Sequence, residues 1–226
     1  MSSILNQINA YCVLLDERID FWQKLSEDFM NHGIAIYPCI VGSKNLEQYV
    51  YMHHDINELP PRTITTNPYP NWVNKPNAYN AWLSHRKILE FAYQRKFEKI
   101  MIVEDDVAIS DDFNEVMKDV DAYFANKHFD ILQLGGYHHN NTHQVSSHIV
   151  KTTSSGGWHA VVIDQAIIPL LLSFQPIGPY DWTCEQFIQP KYECYCVYPG
   201  VINQKDGYSF VEGCNLTKPN RFSLGE

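Results

Sequence analysis

The sequence predicts an α/β fold with a mixed, mostly parallel central sheet and helices on both faces. Two observations carry this expectation. Short apolar runs of strand length, such as "YCVLL" (Tyr11 to Leu15) and "IAIYPCIV" (Ile34 to Val41), alternate with longer stretches whose apolar residues recur at helical spacing. The opening order strand, helix, strand then implies a parallel pair joined by a right-handed crossover.

The first run ends abruptly in "DERID", as a buried strand does on leaving a sheet. Asp20 followed by Gln23 has the form of a capping box, and Phe21, Trp22, Leu25 and Phe29 then share a face before the stop signal Gly33. From Gly42 to Pro76 the periodicity fails. Pro60, Pro61, Pro68, Pro70 and Pro76 exclude a regular element there, and a loop of such length in a compact domain is expected to serve a site.

Ala78, Trp82, His85, Leu89 and Ala92 recur at helical spacing, so the next helix delivers the chain to the strand "KIMIV". After the acids that follow, Ser110 is expected to cap a helix whose apolar face is Phe113, Val116, Met117, Val120 and Phe124. Asp111 and Asp112 favour the positive end of that helix. "DILQLGG" and "WHAVVID" read as further strands, and "QAIIPLLLSF" as a short helix that accepts Pro169 in its first turn.

With 226 residues, 45% of them hydrophobic, and no linker or charge block, the chain reads as one domain over residues 1–226. Its 17 basic residues against 26 acidic ones give a net charge of -9, which argues against a protein built to grip nucleic-acid phosphates. An anionic small substrate would need local help, such as a metal. No run approaches the roughly 20 apolar residues needed to span a bilayer, so a cytoplasmic location is expected. The six cysteines lack zinc spacing and are read as reduced. His138, His139, His143 and His148 fall among poor helix formers, which suggests a mobile loop over the site rather than helical zinc ligands.

The stretch "MIVEDDVAI" places Glu104, Asp105 and Asp106 directly after an apolar strand. Open α/β sheets bind ligands at the carboxyl ends of their strands, and alternation along an extended chain sends Glu104 and Asp106 to one side and Asp105 to the other. Two acids aimed into one crevice suit a hard divalent cation, which can neutralise a diphosphate. Acids that merely begin a polar loop would look the same as a triplet.

Four ordered pieces make the chain resemble glycosyltransferase family 25, the lipopolysaccharide and collagen sugar transferases of GT-A (Rossmann-like) fold. "YCVLLDERIDFWQK" matches at Asp16, Arg18, Asp20 and Trp22, and departs at Leu14 and Phe21 from the usual Asn and Arg. "AWLSHRKILEFA" is similar at Leu83, Ser84 and His85, and "MIVEDDVAIS" at Glu104, Asp105, Asp106 and Val107. "PYDWTCEQF" places Asp181 where the family carries an acid after the last core helix.

The resemblance implies metal-dependent, inverting transfer of a hexose, galactose favoured and glucose possible, from a UDP-sugar donor to a glycan or other hydroxyl acceptor. Asp106 would bind Mn²⁺ or Mg²⁺, and Glu104 would support the metal or the donor ribose. Asp105 would orient the loop, Leu15, Asp16 and Arg18 would lie near the uracil and ribose, and His85 would neighbour the donor. A third metal ligand is sought in "YPGVINQKDGYSF", with Gln204 first and Asp206 second. Asp181, with Glu185 as runner-up, would be the base on the acceptor hydroxyl, although Asp181 could equally cap a helix through "WTCEQFIQ". A catalytically silent carbohydrate-binding protein of the same fold is the alternative; a nucleotidyltransferase ranks third, because "DERIDFW" has no glycine to cradle phosphate.

Overall fold

The structure, a computed structural model, describes residues 4–14, 18–40, 76–138, 142–174, 178–209 and 214–216. Leu15, Asp16 and His139, and the proline-rich segment up to residue 75, lie outside these residues.

Eight strands form the main sheet in the order β2 (Ile36–Ile40), β1 (Asn9–Leu14), β3 (Lys99–Glu104), β10 (Ala160–Asp164), β5 (Ile131–Gln133), β11 (Cys194–Val197), β8 (Ile149–Thr152) and β7 (Thr142–Ser146). β1 runs parallel to β2 and β3, and β5 parallel to β11. β10 and β8 are antiparallel to both of their neighbours, so the remaining strands share one direction. The expected mixed sheet with one dominant direction is present.

Alternation along β3 divides the core into two layers. Met101 and Val103 pack with Leu25 and Phe29 of α1 (Ile19–Asn31) and with Val116 and Val120 of α3 (Phe113–Phe124). Ile100 and Ile102 point the other way, onto Leu89 and Ala92 of α2 (Pro76–Arg95) and onto Ile168 and Leu171 of α4 (Ile168–Ser173). All four strand side chains are fully buried, each contributing on the order of 1.5–3 kcal/mol of transfer free energy. A central strand buried on both faces therefore reads as a continuous apolar run, and the polar residues appear only at its ends.

α1 stops as expected. Gly33 adopts φ 76°, its amide donates to the Met30 carbonyl, and the Ile34 amide donates to Phe29, which closes a Schellman motif. Two cap expectations and one facial expectation need correction. Arg18, not Asp20, precedes α1, with no side-chain cap, and Gln23 donates to Glu27 instead. Phe21 is 65% exposed, because the buried stripe of α1 is set by Leu25 and Phe29. The residue before α3 is Asp112, while Ser110 contributes only its carbonyl, which accepts from the Phe113 amide.

The histidine-rich stretch is also corrected. Residues 142–152 form the β7–β8 hairpin at one edge of the sheet, and His148 Nδ1 pairs with Asp119 at 2.7 Å. Backbone pairing at the sheet edge supplied the order that composition did not announce. Cys12, Cys39, Cys184, Cys194 and Cys196 are free thiols. Among the described residues no helix is long and apolar enough to cross a membrane.

Candidate functional site at the carboxyl end of β3

β3 delivers Glu104 to the sheet edge, and Asp105 and Asp106 turn the chain into β4 (Val107–Ile109). β4 pairs with β12 (Ile202–Gln204), Val107 opposite Gln204. The close approach behind this pairing needs a glycine: a Cβ on Gly135 would lie 2.2 Å from the Ile202 carbonyl oxygen. The Leu134 carbonyl accepts from the amides of Val201 and Ile202 at the same place. A segment a hundred residues downstream is thereby fastened beside the acids.

Each acid has its own surroundings. Asp105 Oδ1 accepts from Arg18 Nη1 at 2.6 Å, both side chains being largely buried. Glu104 Oε2 accepts from Gln204 Nε2 at 2.9 Å, and Gln204 Oε1 in turn accepts from the Tyr137 hydroxyl at 3.2 Å. The Asp106 carbonyl accepts from the Lys205 amide, while its carboxylate oxygen Oδ1 is buried without a hydrogen-bond partner. The cluster is strongly negative. Burial pushes the Cys12 thiol on β1 well up, and the charges of Asp105, Glu104 and Asp106 push it further.

His85 projects from α2 toward Glu104. It is 4% exposed, its Nδ1 lies 2.9 Å from the Ala81 carbonyl one turn back, and its Nε2 lies 3.7 Å from Glu104 Oε1. Burial holds its pKa below the ordinary histidine value, against the opposing pull of the Ala81 and Trp158 backbone and the charge of Asp181. Next to it, Trp82 and Trp158 stack on the two faces of Tyr180 at 5.2 Å and 5.3 Å between ring centroids, and the Arg86 guanidinium lies over Trp82. This column ties α2, the approach to β10 and α5 (Tyr180–Phe187) together.

Asp181 sits in the first turn of α5, one residue inside it. Pro179 occupies the cap position and no side chain caps the helix, so the capping alternative for Asp181 is not what forms. Its Oδ2 accepts from the Gly157 amide at 3.2 Å and its Oδ1 from the Trp182 amide. Gly157 holds φ +91°, a conformation that suits glycine. Glu185, one turn on, accepts from the Ser154 hydroxyl. The loop carrying Ser154 and Gly157 is braced from beneath: Gln189 bonds both the amide and the carbonyl of Ser155, and Gln133 Nε2 reaches the carbonyls of Ser155, Gly156 and Gly157.

The arrangement brings together Arg18, His85, Glu104, Asp105, Asp106 and Gln204 on one side, linked through Trp158 and Tyr180 to Asp181. Asp206 is exposed beyond β12. Sequence reading missed Tyr137, Trp158, Gln133 and Gln189. The glycine pairs Gly135-Gly136 and Gly156-Gly157 were the available signal, since close backbone approach is what they permit. Trp182, next to Asp181, packs on Gly178 and edge-on to Phe187.

A divalent cation fits what is present. Asp106 offers a buried carboxylate oxygen without a partner, and Glu104 a carboxylate whose side chain is 30% exposed. Gln204 already donates to Glu104, and its oxygen receives Tyr137, so here it orients the acid. Among the described residues, no three His, Cys, Asp or Glu side chains stand together as a ready-made cage.

Residues 81–155 match the profile of Glycosyltransferase family 25 (LPS biosynthesis protein), and this third of the chain holds His85, all three acids and Ser154. The match supports a glycosyl-transfer role. Over that stretch the chain is similar to family 25, as the sequence motifs indicated. The chain is also similar, at 10% identity and a TM-score of 0.42, to the crystal structure of a glycosyltransferase involved in the glycosylation of the major capsid of PBCV-1, over 81% of this chain and 77% of that one. No curated protein matches the chain.

Proposed function

We propose that the protein transfers a hexose, galactose first and glucose second, from a UDP-sugar to a hydroxyl of a glycan or similar acceptor, with inversion and with help from Mn²⁺ or Mg²⁺. The observation that carries this reading is the pairing of a partnerless Asp106 oxygen with a Glu104 carboxylate oriented by Gln204, inside the stretch similar to family 25.

Asp106 and Glu104 would hold the cation, which when bound neutralises the leaving diphosphate. Arg18 keeps Asp105 turned away from that position and so separates two charges that would otherwise repel. Gln204, held by Tyr137, keeps one oxygen of Glu104 fixed. On the acceptor side, Asp181 takes the proton from the attacking hydroxyl as the bond to the departing UDP breaks. The Gly157 amide holds one of its oxygens in place, and the braced loop makes that position rigid. Glu185 is the less suited of the two acids, since the Ser154 hydroxyl already engages it.

The test is calorimetric titration with UDP, with and without Mn²⁺, on the wild-type protein and on Asp106→Ala. The expected result is Mn²⁺-dependent binding that the substitution abolishes, while Asp181→Asn keeps binding and slows transfer. UDP binding of equal strength in all four conditions would overturn the metal assignment, and no binding in any would overturn the transferase reading.

A further inference from the structure

A cavity of about 710 Å³ opens at the opposite end of the sheet from the acids, where β1 and β3 begin. The length of β3, roughly 17 Å at about 3.3 Å per residue, separates the two places. Its size suits a small molecule.

The lining divides by chemistry. Phe97, Phe124, Phe129 and Ile8 give it an apolar wall, while Lys96, Lys99, Lys127 and His128 bring positive charge against one acid, Glu98. In a chain with a net charge of -9 this local excess runs against the trend. Two of the basic groups are already engaged, Lys99 with Asp164 at 2.7 Å and His128 with Asp130 at 3.0 Å, so the charges nearest the strand are matched. Lys96 and Lys127 stand further out, beyond the ends of α2 and α3. Lys127 lies over the Tyr123 ring, and among the described residues neither lysine has a carboxylate at ion-pairing distance.

Lys96 is also held at a conformational cost. It follows α2 in the left-handed region at φ 55°, its amide donating to the Tyr93 carbonyl and the Phe97 amide to that of Ala92. Gly33 closes α1 with the same pair of bonds at φ 76°. Glycine is the residue this position favours, because a Cβ crowds the neighbouring carbonyl. The positive charge that suits the carbonyl end of α2 is already supplied by Arg95 in its last turn. A lysine standing where glycine fits better, on the rim of a cavity, points to a use for its charge there.

We propose that this cavity binds a phosphate monoester carrying an apolar group, with Lys96 and Lys127 taking the phosphate and the phenylalanine rings taking the apolar part. A dianion matches two ammonium groups, and charge-assisted bonds to phosphate are strong. The assignment is independent of the UDP-sugar reading. A soluble ester and a lipid phosphate share this chemistry, and the experiment separates them.

Binding of phenyl phosphate is measured by calorimetry in EDTA, with inorganic phosphate and benzyl alcohol as the two halves of the ligand. The wild-type protein should bind the whole ester at least about tenfold more tightly than either half. Lys96→Gly, which suits the left-handed backbone and so preserves the fold, and Lys127→Met, which keeps the apolar stem, should each weaken binding by about tenfold. Both variants should bind UDP in Mn²⁺ as the wild type does, and Asp106→Ala should bind phenyl phosphate as the wild type does. No binding of phenyl phosphate by the wild-type protein, or equal affinity in the wild type and both lysine variants, overturns the proposal and leaves the transferase reading intact. Sedimentation with vesicles containing phosphatidic acid, but not with pure phosphatidylcholine vesicles, names a lipid as the source. Phenyl phosphate binding without sedimentation names a soluble ester.

Discussion

The two ends of β3 are built on opposite principles. At its start, Lys99 pairs with Asp164 at 2.7 Å, and the other oxygen of Asp164 accepts from the Ala166 amide, so the polar groups that meet there are matched. At its end, Asp106 Oδ1 is buried without a hydrogen-bond partner, and three acids follow one another along the chain. Between them lie four residues with no exposure. A matched end closes the fold, whereas an unmatched end costs stability and leaves groups ready for a ligand. This difference is the physical reason the carboxyl end is the one proposed to receive the UDP-sugar.

Substitutions along the strand should break this contrast in order of size. Ile102→Ala, in the fully buried middle, should lower unfolding free energy by roughly 2–5 kcal/mol in urea titration, because the cavity cannot close between two packed layers. Gly135→Ala should cost about 1–3 kcal/mol and also weaken UDP binding. A Cβ 2.2 Å from the Ile202 carbonyl must push β12 away, and Gln204 with it. Retention of both stability and binding in that variant would show that β12 does not position Glu104.

At the matched end, Lys99→Met should cost no more than ~1 kcal/mol in the same titration, since the pair is partly exposed and screened. At the unmatched end, Asp106→Ala should change stability least, within about 0.5 kcal/mol of wild type or slightly upward, because the oxygen removed has no partner to lose. The same variant should lose Mn²⁺-dependent UDP binding. A large drop in melting temperature on Asp106→Ala would invert the contrast and make the acid structural.

Much of the fold was legible because its signals are local. The apolar run at Ile100 to Val103 reads as a buried strand, and the spacing of Phe113, Val116, Met117, Val120 and Phe124 reads as a helix face. All of these are buried as that reading requires. Cap residues were less legible. Asp20, Ser110 and Asp181 are all competent caps, but the chain's path into each helix was decided by packing, and none of them caps. The acids were legible as a cluster, while their separate surroundings were not.

By itself the sequence determined the kinds of element, the layering of β3 between two apolar faces, and the placing of three acids at a strand exit. These follow from side-chain periodicity and from the repulsion that makes such a triplet need a partner. Only the tertiary structure decided that β10 lies antiparallel between β3 and β5, that Arg18 takes Asp105, and that Gln204 takes Glu104. It also decided that Gly157 holds Asp181. Each of these joins residues far apart in the chain, and their meeting depends on how the packed layers close, which no local spacing encodes.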